Sequence, residues 1–358
     1  MTTIADVAAR AGVGVGTVSR VLNGSVQVRP ATRARVQQAI DDLGYEPSRA
    51  SSSRNGEPFG LVGLLVPFFD SPSTYERLRG LVSIVERHGF EVVLFNVESS
   101  DRARARLTEL PRNRVLEGLI IMSLPLMDDE GERLARAPFP VVLVDTVHPA
   151  LPSVNIDDRH GGQIATEHLL SLGHERIAFI GEPHRNPFGF IASVHREAGF
   201  KASMKAAGLE VPTNYVRYGP HLRSTARHLA TELFALSNPP TAIVAASDTQ
   251  ALGIIDSARA SGRDVPGDVS VVGYDDIEMA GELGITTIRQ PLRLSGQRGA
   301  ELLVAAIDSR ENPSVVEQLP LELVVRRTTG NPPGRVVRRA PTSAATARSG
   351  RGRRGAGG

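Results

Sequence analysis

Apolar positions along the first 45 residues keep a helical period. In TIADVAARAG, Ile4, Val7, Ala8 and Ala11 recur three and four apart, and Thr3 with Asp6 resembles a capping pair. Gly12 marks a turn, and Val18, Val21 and Leu22 then share one face of a second short run. RPATRARVQQAIDDLG predicts a third helix, with Pro30 suited to its first position, Val36, Ile40 and Leu43 as the core stripe, and Gly44 as the stop. From Phe59 the period changes. GLVGLLVP, EVVLFNV, GLIIMS, PVVLVD, RIAFIG, AIVAAS and VSVVGYDD are short apolar runs bounded by turn residues, as strands buried on both faces must be. Amphipathic stretches such as YERLRGLVSIVERHG and GGQIATEHLLSLGH alternate with them, which predicts a parallel, doubly wound arrangement. The runs outnumber what one sheet comfortably takes. The expected fold class is therefore a three-helix helix-turn-helix head followed by a two-lobed α/β body with parallel sheets and a cleft.

The glycines of AGVGVGTVSR, at 12, 14 and 16, admit a second interpretation, a phosphate cradle. A dinucleotide-binding loop follows a strand, opens a helix and needs a glycine where this chain has Thr17. Here the preceding segment is helical, which favours helix-turn-helix. In such a unit the second helix lies in the major groove with its early side chains at base edges. Arg20 is able to donate two bonds to guanine O6 and N7, Val15 offers a methyl contact, and Gly16 offers only backbone.

Charge agrees with that placement. The formal net charge is only +2. Yet residues 1–60 carry seven Arg against five acids, and residues 331–358 carry seven Arg and no acid, so the middle is strongly acidic. Basic ends around an acidic body suit a chain whose terminus meets a polyanion. There is no cysteine, which excludes a disulfide framework, a thiol nucleophile and Cys-ligated metal. No apolar run approaches the ~18 to 20 residues of a membrane span, and MTTIADVAAR lacks the basic-then-apolar order of a signal peptide. A soluble chain in the cytoplasm, associated with the nucleoid, is expected.

TIADVAARAGVGVGTVSRVLNG, followed by VRPATRARVQQAIDDLGYEP, resembles the DNA-binding head of the lactose-repressor (LacI/GalR) family of bacterial transcription regulators, almost without gaps through residue 47. The resemblance implies that Val15 and Gly16 sit where the family reads bases, Thr17 and Ser19 where it grips phosphates, and Arg20 where an arginine reaches a base edge. Thr3 and Asn23 are expected in the same DNA-facing set. Arg29 stands where the family usually has a serine, which loses a good cap and gains a phosphate contact. In the linker YEPSRASSSRNGEP, Arg54 replaces the family's minor-groove leucine. A Ser-rich segment forms helix poorly, while Arg49 and Arg54 suit a narrow minor groove.

The resemblance continues to about residue 329, where the body is similar to periplasmic sugar-binding proteins. It implies a head at 1–47, a linker at 48–58 and a body at 59–329. The first lobe would span about 59–158 plus a return at 291–325, and the second about 159–290. A basic tail at 330–358, rich in Gly, Pro, Ser, Ala and Arg, is expected to be disordered. It has no heptad leucines, and a homodimer is expected because two heads on a two-fold axis read two half-sites.

Ligands of such folds bind outside the carboxyl ends of the strands, between lobes that hinge. The candidates at strand ends are Asp145 closing VVLVD, Asp157 after SVNI, Asp248 after AIVAAS and Asp275 closing VVGYD, with Arg196 in IASVHREAGF. The resemblance supports Arg196, Asp248 and Asp275. It adds Gln290, the loop residues Phe69, Asp70 and Ser71, and His221 at a position where some relatives stack an aromatic ring. Asp157 and Asp248 are equally suited to capping the helices that follow, and Asp275 to bracing a turn. Paired carboxylates and a guanidinium suit sugar hydroxyls. The expected function is an operator-binding regulator of the repressor type, tuned by a small carbohydrate effector; the alternative is a purine or nucleoside corepressor on the same scaffold. A transport receptor or a sugar-modifying enzyme is less well supported. There is no nucleophile elbow, Walker loop or H-E-x-x-H order among nine histidines, and His168 and His174 are expected at the solvated surface. No cofactor and no metal are expected.

Overall fold

The computed structural model describes residues 2–22, 28–45, 60–309 and 315–334. Its first three helices are α1 (Ile4–Ala11), α2 (Val15–Leu22) and α3 (Pro30–Leu43). Thr3 and Asp6 form the reciprocal capping box at the start of α1. The three glycines hold three different positions. Gly12 ends α1 in the left-handed region, at φ 64°, and Gly14 offers its carbonyl to the amides of Thr17 and Val18 as α2 begins. Gly16 lies inside α2. Val7, Ala8, Ala11, Val18, Val21, Val36, Ala39 and Tyr45 make the buried centre of the bundle, with Ile40 and Leu43 packed partly against it. Arg29 precedes α3 without any side-chain cap, as its replacement of serine implies.

The first lobe begins with β1 (Leu61–Pro67), α4 (Pro72–Val85), β2 (Glu91–Val97), α5 (Ser100–Glu109) and β3 (Leu116–Met122). It continues through α6 (Asp128–Ala135), β4 (Val141–Val144) and β5 (Ser153–Asn155). The second lobe holds α7 (Asp158–Ser171), β6 (Ile177–Gly181), α8 (Ala192–Ala206), β7 (Val216–Tyr218) and α9 (Arg223–Phe234). To these it adds β8 (Ala242–Ala245), α10 (Asp248–Ala260), β9 (Ser270–Asp275), α11 (Glu278–Leu283) and β10 (Thr286–Arg289). The chain then crosses back as α12 (Leu292–Ser309) and β11 (Val316–Gln318), and ends its regular structure in β12 (Glu322–Val324).

The two sheets run in the orders β11-β5-β4-β3-β1-β2 and β12-β10-β9-β8-β6-β7. Each is sandwiched by helices, which is why its central strands read as unbroken apolar runs. Every pairing is parallel except β12 against β10. That exception corrects the expected lobe boundary: 322–325 does not stay with the first lobe. Glu322–Val324 pairs with β10 and satisfies an edge whose amides and carbonyls would otherwise lack partners. The following residues stay with the same lobe, where Thr328 Oγ1 donates to the carbonyl of Val271 and the Gly330 amide to Ser270 Oγ. Gly330 thus belongs to the second lobe rather than to the tail, and residues 335–358 lie outside the described set.

His174 is a second correction. It is buried, with Nδ1 at 2.9 Å from Thr241 Oγ1 and Nε2 at 2.9 Å from the Gly330 carbonyl. His168, half-buried, meets Thr329. Neither histidine is solvated surface, because the 328–330 segment closes over both.

Candidate functional site

In the head, α2 leaves Val15 46% exposed, although Val18 and Val21 on the same helix are buried. An apolar side chain at the exposed start of a short helix contributes nothing to the bundle core. Gly16 is exposed and Thr17 and Ser19 are half-buried beside it. Arg20 folds back along its own helix, where Nε donates to the Gly16 carbonyl at 3.2 Å. Thr3 is exposed and occupied as the cap of α1. Asn23, Arg49 and Arg54 lie outside the described residues.

In the body, backbone strain marks one place. Among the described residues, the non-glycine positions with positive φ are Phe68, Ser123, Asp145, Asp275 and Asp276. All five stand at or immediately after the carboxyl end of a strand: β1, β3, β4 or β9. Such conformations cost about 1–3 kcal/mol each and gather at sites of function.

Three of these residues belong to one chain of polar contacts. Ser123 donates to Asp145 Oδ2 at 2.6 Å, and Arg77 Nη2 donates to Asp145 Oδ1 at 2.6 Å. The same Nη2 donates to Gln290 Oε1 at 2.8 Å, and Gln290 Nε2 donates to Asp275 Oδ1 at 2.5 Å. Arg196 Nη1 approaches that oxygen at 4.0 Å, while its Nε donates to Asp158 at 2.7 Å. Its guanidinium also lies 3.7 Å above the ring of Tyr274. The chain runs from the strand ends of the first lobe, through the crossover between β10 and α12, to the strand ends of the second. Burial works against the charge of Arg196, but Asp158, Tyr274 and Asp275 more than restore it. Burial pushes the carboxyls of Asp158 and Asp275 above the usual carboxylate range.

The structure thus brings Asp145, Arg196, Asp275 and Gln290 together. The remaining candidates stand elsewhere. Asp248 has no exposed surface; it accepts from the Ile277 amide and from Thr287 Oγ1, and burial followed by the charge of Asp275 pushes it up to about 8. It braces the second sheet, and the cap of α10 is Ser247. Asp157 is the cap of α7, accepting from the His160 amide at 2.9 Å. Ser71 caps α4, while Phe69 and Asp70 are exposed on the loop after β1. His221 stands 3.9 Å from Glu182.

Three participants escaped the sequence reading: Arg77, Ser123 and Asp158. For Arg77 a signal existed. It falls on the buried stripe of α4 with Gly80, Leu81 and Ile84, where an amphipathic helix should be apolar. For Asp158 no signal exists, because sequence alone does not say which of the adjacent carboxylates Asp157 and Asp158 faces outward. A further contact between the lobes is aromatic. Phe68, after β1, meets Phe188 edge-on with ring centroids 5.2 Å apart, and Phe188 stacks on Phe190 at 5.1 Å.

A helix-turn-helix head joined to two hinged α/β lobes, with a polar relay across their strand ends, defines a DNA-binding sensor. Comparison with known proteins agrees. Residues 3–48 match the bacterial regulatory proteins of the lacI family, and residues 166–329 match the periplasmic binding protein-like domain. The chain is 35% identical over 337 residues to the HTH-type transcriptional regulator CelR of Thermobifida fusca, covering 91% of this chain and 98% of that one. A complex of the transcriptional regulator CelR with cellobiose aligns with a TM-score of 0.67 at 34% identity, covering 92% of this chain and 100% of the other. The Lac repressor dimer bound to operator and the anti-inducer ONPF aligns with a TM-score of 0.74 at 28% identity, covering 92% and 99%. The chain belongs to the lacI family of bacterial regulatory proteins and is a DNA-binding regulator of transcription. Among the described residues, no helix is long and apolar enough to cross a membrane.

Proposed function

We propose that this protein represses transcription by binding a palindromic operator as a dimer, and that a small carbohydrate in the cleft between the lobes sets its affinity for that DNA. The observation that carries the effector reading is the relay Asp145, Arg77, Gln290, Asp275, Arg196, which gathers donors and acceptors from both lobes at strained strand ends. Related structures holding cellobiose in one case and operator DNA in another support it. In the head, Arg20 reads a base edge, Val15 and Gly16 meet the groove floor, and Thr17, Ser19 and Arg29 hold phosphates. The place of action is the nucleoid, in the cytoplasm.

The mechanism is a population shift. An effector that binds two lobe arrangements unequally moves the paired heads relative to their half-sites, and it changes operator affinity by that same free-energy difference. Footprinting on DNA upstream of the protein's own gene, repeated with a panel of sugars, tests both parts. Protection of a palindrome that one sugar strengthens or abolishes is the expected result. Protection that no sugar alters refutes the effector half, and no protection at any salt concentration refutes the whole.

A further inference from the structure

Arg77 has more donors than its present partners use. It is 3% exposed, and both of its hydrogen bonds, to Asp145 and Gln290, leave from Nη2. Its Nε is buried and unpartnered. Burying an arginine on the apolar stripe of a helix is costly unless its donors are satisfied, so packing of α4 alone would favour an aliphatic side chain. Beside it lies a small cavity bordered by Asp145, Asn155, Gln290, Pro291 and Ser295.

The Gln290 amide occupies an informative position. It accepts from a guanidinium on one side and donates to the Asp275 carboxylate on the other. Two neighbouring hydroxyls of a polyol can do the same, one accepting from Arg77 and one donating to Asp275. A carboxylate or a fully ionised phosphate has no proton to give Asp275, and in any ionisation state near neutral pH either group would stand beside it at like charge. An ammonium group can donate to Asp275 but has nothing with which to accept from Arg77. The wider charge pattern points the same way: Arg77 is already paired with Asp145 and Arg196 with Asp158, so neither guanidinium is a spare cation for an anionic ligand.

We propose that Arg77 is a specificity-determining residue of the cleft, and that with Asp275 it selects an uncharged ligand carrying neighbouring hydroxyls, Gln290 holding their place until the ligand arrives. This rests on the reading of the cleft as the effector site.

The test is calorimetry and thermal shift on the full chain with glucose, xylose and cellobiose, set against glucuronate, glucose 6-phosphate and glucosamine. The expected result is binding of at least one neutral sugar, at least tenfold tighter than any charged compound. Arg77→Leu should weaken that binding at least tenfold and Arg77→Lys by less, with Arg77→Lys carrying the test if Arg77→Leu fails to fold. A charged sugar that binds as tightly as the neutral ones overturns the proposal, as does neutral-sugar affinity within twofold of the wild type in a folded Arg77→Leu protein. Binding of none of these compounds by a protein that still binds its operator overturns the underlying carbohydrate reading instead.

Discussion

Gly162→Ala tests whether the packing of the second lobe is what places Arg196. Gly162 lies in α7 where that helix crosses α8, and a Cβ built there would stand 2.0 Å from the carbonyl oxygen of Arg196. Carbon–oxygen contacts settle near about 3.3 Å, so one helix must retreat by more than about 1 Å. The obstacle is backbone, which cannot rotate away as a side-chain tip does. Overpacking of this kind costs about 1–3 kcal/mol, and a clash with backbone belongs at the upper end. The gain in helix propensity from glycine to alanine returns about 1 kcal/mol, leaving a net loss near 2 kcal/mol. At ~2–4 °C per kcal/mol for a unit of this size, the melting temperature should fall by about 4–8 °C. Arg196 moves with its carbonyl, so its 2.7 Å bond to Asp158 and its 2.6 Å bond to the Ala246 carbonyl loosen, and effector affinity should fall too. Gly281→Ala, in α11 with open space around the added methyl, is the control and should gain up to about 1 kcal/mol. If calorimetry finds the two variants equally stable, the close crossing of α7 and α8 is not what holds the arginine.

Arg29→Ser supplies α3 with the cap it lacks, so the head should gain about 1 kcal/mol; if Arg29 holds a phosphate in each of two heads, the slope of log affinity against log salt falls by about 2, and an unchanged slope removes Arg29 from the DNA contacts. Arg20→Ala should cost about 1–3 kcal/mol per half-site on specific DNA while sugar affinity is retained, and equal loss of both would count against the assignment. Asp248 has a folded pKa raised by burial, so its stabilising contribution is complete below the ordinary value of 3.8 and is lost as pH rises toward about 8. Asp248→Asn can accept from the Ile277 amide with its carbonyl oxygen and donate from its Nδ2 to a Thr287 hydroxyl turned to accept, without that loss, and urea titrations should show the variant more stable than the wild type at pH 8; the reverse order would mean that the buried carboxylate is ionised and stabilising. His168 and His174 have pKa values lowered by burial, so the stability they confer is present above the ordinary 6.5 and lost as pH falls below it, by at most about 1.4 kcal/mol per pH unit for each. Melting temperatures from pH 7.5 to 5.5 should therefore decline, and a flat profile would contradict the burial of these two rings.

Most of the architecture could be read from the sequence because its signals are local. Thr3 and Asp6 form the capping pair that their spacing announces, Gly12 and Gly44 stop helices as glycines with positive φ do, and the seven apolar runs are strands. What stayed hidden depends on which residues meet across long separations. Asp157 and Asp158 are adjacent and chemically alike, yet one caps a helix at the surface and the other turns inward, partly buried, to pair with Arg196, 38 residues away. The switch of β12 into the second sheet was equally illegible, since three residues carry too little pattern to name their partner. Arg77 is the instructive case: its charge on a buried stripe was visible, and a departure of this kind from the helical pattern is where function should be sought.

The relay also explains how a small ligand could move large lobes. Gln290 sits in one of the three chain crossings between them, so a ligand that takes over its bonds acts on the hinge itself rather than on a distant wall of the cleft. In the free protein Gln290 already occupies Arg77 Nη2 and Asp275 Oδ1, so at these atoms ligand binding is an exchange of partners, while the buried Nε of Arg77 is still without one. A hydrogen bond to a charged group is worth about 1.5–3 kcal/mol. If one such bond survives in only one of the two lobe arrangements, the ratio of their populations changes about ten- to a hundredfold, since each 1.4 kcal/mol is tenfold. A regulator needs a switch of that size. It requires no stronger interaction than those already present between Arg77, Gln290 and Asp275.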